Sequence, residues 1–395
     1  MGRQKLSMGL GCRGGAGAGS LLSKSKPYLS MVWVQVGYAG LYVISVVAFR
    51  RGFSHWIFVV YRHLVATLIF VPLAYFLEKK TRPKMTKSIF FKVVVLAFLE
   101  PVLDQNLYFL GIQYTSATFA AATGNVVPAI TFIMALIFRL EKVNLKMLHS
   151  LAKVIGTVIT LMGAMVMTLY KGPVVDIMWY SNNSGHHQAQ AQDAANQHWV
   201  SGTIMLFACI VGWSAFFILQ NKTLKEYPAQ LSLTSLICAM GVVESGTAAV
   251  IMERRKSAWV VGFDSRLLLV VYSGIVCSGI GYYLQGVVNR ERGPVFVTAF
   301  TPLSMIVTAV LGTIILAEQL HLGSLIGAIV IVCGLYSVVW GKGRETKLAS
   351  AASDKLSDAA DGAGGALPVM AVVEKDIQII ADANIYQTNV SQAEP

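Results

Sequence analysis

Long apolar runs, each followed by a short polar segment, repeat along the chain. They fall near residues 31–49, 56–77, 89–112, 115–138, 147–170, 200–219, 229–251, 266–288, 295–316 and 323–340. Runs of roughly 17 to 25 apolar residues match the length a helix needs to cross a hydrocarbon core of ~30 Å. A helix also satisfies its own backbone hydrogen bonds, which lipid cannot do. Five runs precede a polar stretch, 171–199, that contains SNNSGHHQAQAQDAANQ, and five follow it. The pattern predicts an all-α membrane protein of ten transmembrane helices. Residues 31–170 form one five-helix unit and 200–340 another, joined by a polar, non-cytosolic linker at 171–199. A disordered cytosolic leader, 1–30, and a disordered cytosolic tail, 341–395, flank them.

The two units repeat each other. Residues 115–141 read TSATFAAATGNVVPAITFIMALIFRLE, and 294–318 read PVFVTAFTPLSMIVTAVLGTIILAE. An ungapped register that places Pro128 on Pro302 also places Tyr108 on Tyr282, Phe109 on Tyr283 and Leu110 on Leu284. Gly156, Gly163 and Lys171 recur with unchanged spacing as Gly327, Gly334 and Lys342, and a short insertion in the first unit accounts for the offset. Internal duplication of this kind defines an architecture. Because each unit holds an odd number of spans, the second enters the bilayer from the opposite side. Inverted repeats are characteristic of secondary transporters, whose sites lie where the repeats meet near the midplane.

Composition agrees. The chain is 55% hydrophobic and 13% charged, with a mean hydropathy of +0.60, a balance foreign to ordinary soluble domains. Its net charge of +12 resides largely in short loops and so reports topology rather than nucleic-acid binding. Lys79, Lys80, Arg82, Lys84 and Lys87 share a side with both termini, which the basic bias places in the cytosol. Arg254, Arg255, Lys256 and Arg266 run against that bias. The leader, Met1–Lys26, has no secretory apolar core, and a transit peptide is its lesser alternative. Four of the five cysteines lie in spans (Cys209, Cys238, Cys277 and Cys333) and Cys12 lies in the leader, with no C-x-x-C, so neither a disulfide nor a metal site is indicated. His186, His187 and His198 read as solvated linker residues, and Asn182 heads a glycosylation sequon. No cofactor is expected.

Candidate chemistry centres on the third run, where Glu100, Asp104 and Tyr108 stand four apart on one helical face. A carboxylate at mid-membrane costs about 2.5–3.5 kcal/mol, so such acids face a cavity or a partner. Adjacent carboxylates resist double ionisation, and a protonatable acid on a cavity suits a proton-coupled carrier. The alternative is a structural pair bonded to another helix, with Arg62 as a partner. Pro101 predicts a kink at that depth. Arg62 and His63 are the candidate cations; the alternative for Arg62 is to snorkel to the interface, His63 reads as a packed, hydrogen-bonded residue, and Glu244 is a third buried acid. Asn125 and Pro128, with Thr298, Thr301 and Pro302 in the other repeat, supply polar groups and interrupted helix at matching positions. Tyr282, Tyr283 and Gln285 offer amphipathic surface on the same path. Glu141 and Glu318 sit at span ends and are assigned to loop or helix-end structure.

Two stretches carry a family resemblance: LYFLGIQYTSATFAAATGNVVPAITFIMALIFRLEKV and TPLSMIVTAVLGTIILAEQLHLGSLIGAIVIVCGLYSVVWGK. They closely resemble the plant Walls-Are-Thin-related, nodulin-21-like branch of the EamA-type drug/metabolite transporters. The resemblance covers residues 30–342. It implies two inverted five-helix EamA repeats and transport of small organic solutes, typically amino acids or auxin, at the plasma membrane or, alternatively, the vacuolar membrane. The expected function is thus a secondary carrier working by alternating access, with protons as the candidate coupling ion and the bilayer and a small molecule as partners. The chain has no phosphate-cradling loop, H-E-x-x-H or G-x-S-x-G motif, so no enzymatic activity is expected. A non-transporting receptor or scaffold is the alternative.

Overall fold

The computed structural model describes residues 15–80, 82–115, 120, 123–141, 146–170, 199–315 and 322–362. Regular structure among them is helical throughout. In chain order the helices are α1 (Gly15–Arg50), α2 (His55–Glu78), α3 (Lys87–Tyr114), α4 (Val127–Ile137), α5 (Leu148–Leu169), α6 (Trp199–Glu226), α7 (Gln230–Met252), α8 (Ser265–Arg292), α9 (Pro294–Ile315) and α10 (Leu322–Gly362). Nine of these are long and apolar enough to cross a bilayer. The fourth run, expected to be helical over 115–138, gives the shorter α4 among the described residues. Two compact units, 1–342 and 343–395, divide the chain, and the first holds the membrane bundle.

The ends of the bundle depart from the sequence expectation. Helix α1 starts at Gly15, inside the segment expected to be a disordered leader, and α10 continues to Gly362, well into the expected tail. Tyr28 packs edge-on against Phe296 with ring centroids 5.4 Å apart, and Met31 is fully buried, so packing begins ahead of the apolar run. Beyond Lys342 the Ala- and Lys-bearing LASAASDKLSDAA suits a helix by propensity alone. The linker histidines, the sequon, Glu318 and Lys171 lie outside the described residues.

Contacts between matching helices reveal how the repeats are oriented. Along α2 and α7, Gly241 lies against His63, Ser235 Oγ donates to Phe70 O at 2.8 Å, and the amides of Leu231 and Ser232 donate to the Glu78 carboxylate at 3.0 and 2.7 Å. Residue numbers rise along one helix as they fall along the other, so these equivalent helices are antiparallel. Glu78 also caps α7, where a carboxylate meets free amides and the positive end of the helix dipole.

Helices α5 and α10 repeat the relation at their glycines. A Cβ on Gly156 would stand 2.7 Å from Gly334 O, and one on Gly327 would stand 2.7 Å from Gly163 O. Exchanging each glycine for its repeat equivalent turns the first contact into the second. That interchange is the signature of a two-fold relation between inverted repeats. Such close backbone approach is open only to small residues. Gly156→Leu is therefore expected to push α5 off α10 at an overpacking cost of about 1–3 kcal/mol, read as a lower unfolding temperature of the detergent-solubilised protein. Thermal stability equal to the parent's would refute the contact.

Proline sets a second matched feature. Helix α4 starts immediately before Pro128, after a turn in which Val126 N–H donates to Thr123 O at 3.0 Å and Ala129 N–H to Val126 O at 3.0 Å. In α9 the helix breaks at Phe300, where Phe300 N–H donates to Val297 O at 3.3 Å and Leu303 N–H to Phe300 O at 2.9 Å, just before Pro302. The two turns coincide in the repeat register, because each proline lacks a donor and disfavours helix in the residue before it.

Candidate functional site: a cavity between the repeats

Helices α3 and α8 each contain a wide π-type segment at mid-length, Phe98–Asp104 and Ser273–Gly281. Gln105 N–H donates to Glu100 O and Tyr282 N–H to Cys277 O, each reaching back five residues. In α3 the cause is Pro101, which has no amide to give, and in α8 it is a run of small residues, SGIVCSGIG. Such insertions rotate side chains relative to a regular helix and recur at functional sites. Here the rotation separates the three residues placed on one face by the sequence. Asp104 and Tyr108 line a cavity, whereas Glu100 is fully buried away from it.

That cavity, about 280 Å³, lies where the two repeats meet. Arg62, Asp104, Gln105 and Tyr108 reach it from the first repeat, Gln285, Thr301 and Ser304 from the second, and Phe58, Phe109 and Trp213 add aromatic wall. It extends from mid-depth toward the loops that join α1 to α2 and α7 to α8. Tyr42 on its wall is 41% exposed.

Arg62 is 1% exposed, and neutral groups hold it. Its Nε donates to Ser278 Oγ at 2.6 Å and its Nη1 to Gln105 Oε1 at 3.2 Å. Gln105 passes the link on, with Nε2 donating to Glu100 Oε1 at 2.7 Å. The sequence allowed a direct Arg62–Glu100 pair, but the structure interposes Gln105. Arg62 Nη2 is buried without a hydrogen-bond acceptor among the described residues. Opposite it in chemistry, Asp104 Oδ1 accepts a bond from Cys209 Sγ at 2.8 Å.

The remaining candidates sit around this cavity rather than on its wall. His63 is wholly buried, its Nδ1 bonded to Val59 O at 2.8 Å and its Nε2 3.7 Å from Glu100 Oε2, so it is packed as expected. Tyr282 lies in the main core beside Phe216, and Tyr283 in a smaller cluster with Phe70. Asn125 is buried by the break before α4, Pro128 begins that helix, Thr298 bonds back to Pro294 O, and Pro302 follows the break in α9. Glu244 on α7 is also off the wall, with both carboxylate oxygens buried and unpartnered among the described residues. Sequence reasoning passed over Gln35, Tyr38, Tyr42, Gln105 and Trp213. Gln35 and Gln105 were visible as polar residues inside apolar runs, whereas the aromatic residues carried no signal that separates wall from core.

Among the described residues the opposite half of the bundle is closely packed. Phe132, Ala135, Ile218 and Val295 from α4, α6 and α9 pack together there. Asn289 Nδ2 donates to Phe217 O and Gln220 Oε1, and Asn221 Nδ2 to Asn289 O, locking α8 to α6. Beside them Glu141, with its side chain 1% exposed, pairs with the fully buried Lys153 at 3.1 Å and with Lys342.

Comparison with known proteins fits this geometry. The model of the EamA-like transporter family matches residues 25–169 and again 200–340. The chain belongs to the EamA-like transporter family. Three WAT1-related proteins of Arabidopsis thaliana are 52%, 53% and 55% identical to it, each over 83% of this chain and 86–88% of their own. A solved crystal structure of a protein 15% identical superposes with a TM-score of 0.57, covering 79% of this chain and 98% of that one. At that identity it speaks for the fold alone. The two EamA matches coincide with the inverted halves, and the chain is a multi-pass membrane transporter of the plant WAT1-related group.

Proposed function

We propose that this EamA-type protein is a gradient-driven carrier of amino-acid-like zwitterions, working by alternating access. One observation carries the reading: a cavity at the repeat junction is lined by both Arg62, whose buried Nη2 has no acceptor among the described residues, and Asp104. A cargo carboxylate meets the first and an ammonium the second, and charge-assisted bonds of that kind are the strong ones. The aromatic wall of Phe58, Phe109 and Trp213 favours a second cargo, an auxin-like aromatic carboxylate that uses Arg62 alone. Asp104, as the acid facing the cavity, is the group to couple cargo to protons. Loop charge favours cytosolic termini, so the cavity is outward-facing, in the plasma membrane or alternatively the vacuolar membrane.

Flux into liposomes tests this with three probes: L-phenylalanine, which carries both charges, indole-3-acetate, which carries the anion, and phenethylamine, which carries the cation. The parent is expected to move the first in preference to phenethylamine. Asp104→Asn should cut L-phenylalanine uptake about tenfold or more, as expected for losing a charged hydrogen-bond partner, spare indole-3-acetate and flatten the pH profile. Equal effects on all three probes, or an unchanged pH profile, would count against the assignment. A receptor or scaffold would show no protein-dependent flux at all.

A further inference from the structure

The repeat register that carries Tyr108 onto Tyr282 also carries Asp104 onto Ser278. The first repeat thus has a carboxylate where the second has a hydroxyl. Ser278 is wholly buried in the π-type segment of α8, and its Oγ takes the Nε–H of Arg62 at 2.6 Å. It can reach because α8 comes close to α2: a Cβ on Gly274 would stand 2.7 Å from Arg62 O. The other acceptor, Gln105, is neutral as well. No described carboxylate forms an ion pair with Arg62, which lines the cavity and whose buried Nη2 has no acceptor among the described residues.

We propose that Ser278 is a specificity-determining positioning residue: it fixes the Arg62 guanidinium by a neutral bond and so leaves that charge to the anionic group of the cargo. The inference rests on the proposed role of Arg62 as the anchor. An acid at 278, as the register has at 104, would form a buried ion pair with Arg62, and a guanidinium already neutralised has little left to offer an anion. Ser278 touches Arg62 rather than cargo. With an acid in one repeat only, the site has one positive and one negative pole.

Equilibrium binding of L-phenylalanine, indole-3-acetate and phenethylamine to the purified full chain tests this, with size-exclusion profiles confirming folded protein. Ser278→Asp should weaken both carboxylates about tenfold or more, the effect of losing a charge-assisted bond, and leave phenethylamine equal or tighter. Ser278→Asn matches aspartate in size without its charge and should stay within about threefold of the parent, as should Ser278→Thr, which keeps the hydroxyl. The double variant Gln105→Glu with Glu100→Gln sets a carboxylate on Arg62 while keeping a donor and an acceptor between positions 100 and 105; it should repeat the aspartate pattern and serves where Ser278→Asp does not fold. Equal losses for Ser278→Asp and Ser278→Asn, or carboxylate binding unchanged in a folded acid variant, would overturn the inference. Arg62→Gln separates the two levels: if it binds carboxylates as the parent does, or if the parent binds none, the anchor itself is wrong. If Arg62→Gln loses them while Ser278→Asp keeps them, only the role of Ser278 falls.

Discussion

Arg62→Gln is expected to lower affinity for a carboxylate cargo by about ten- to a hundredfold, with Arg62→Lys recovering little of it. A hydrogen bond to a charged group contributes about 1.5–3 kcal/mol, which sets the range. Lysine fails because its three donors radiate from one nitrogen, whereas Ser278 and Gln105 take theirs from two different nitrogens of the planar guanidinium and a third nitrogen is left over. The arginine is 1% exposed, so water does not dilute its field. Titration calorimetry with L-phenylalanine reads the loss directly, and phenethylamine, which has no anion to present, should be affected little. If Arg62→Gln weakened both ligands alike, general disruption of the cavity would explain the result better than a lost anchor.

The sequence made the architecture legible because lipid permits so few backbone solutions. Apolar run length named the helices, odd span number named the inversion, and the Gly156, Gly163, Gly327 and Gly334 spacing marked the repeat, whereas their meeting at the α5–α10 crossing appears only in the structure. Local proline chemistry likewise foretold the breaks at Val126 and Phe300. Less legible was anything that depends on rotation about a helix axis. Glu100, Asp104 and Tyr108 share a face at 3.6 residues per turn, but the π-type segment around Pro101 turns Glu100 inward to Gln105 and His63 while Asp104 keeps the cavity. Proline announced a kink, not which way the chain would turn.

The same limit explains the partners of Arg62. Gln105 adjoins Asp104 in sequence and on a regular helix would point about 100° away from it. Ser278 is one hydroxyl in a run of small residues, and only the repeat register sets it against Asp104. Glu141 reads as a loop or helix-end residue, and it follows the last residue of α4 by four positions. Its burial against two lysines from different helices is tertiary, and no periodicity encodes it.

That cluster yields the largest stability effect expected in the molecule. Glu141→Ala removes the shared carboxylate from between Lys153, 0% exposed, and Lys342, 11% exposed. Breaking a buried pair from one side costs about 3–5 kcal/mol, because the charges that remain are poorly solvated. Lys153→Met alone should cost less, since Glu141 keeps Lys342 as its partner. The double variant Glu141→Leu with Lys153→Met replaces charge by apolar volume of similar size and should regain much of the loss, since buried pairs often gain little over well-packed hydrocarbon. Thermal unfolding of the solubilised protein orders the four forms. Because Glu141 sits at the closed half, beside the seal of Phe132, Ala135, Ile218 and Val295, the single variant should also expose cysteines placed in that half to aqueous thiol reagents. A double variant no more stable than Glu141→Ala would mean that the glutamate holds the closed half through contacts other than its charge.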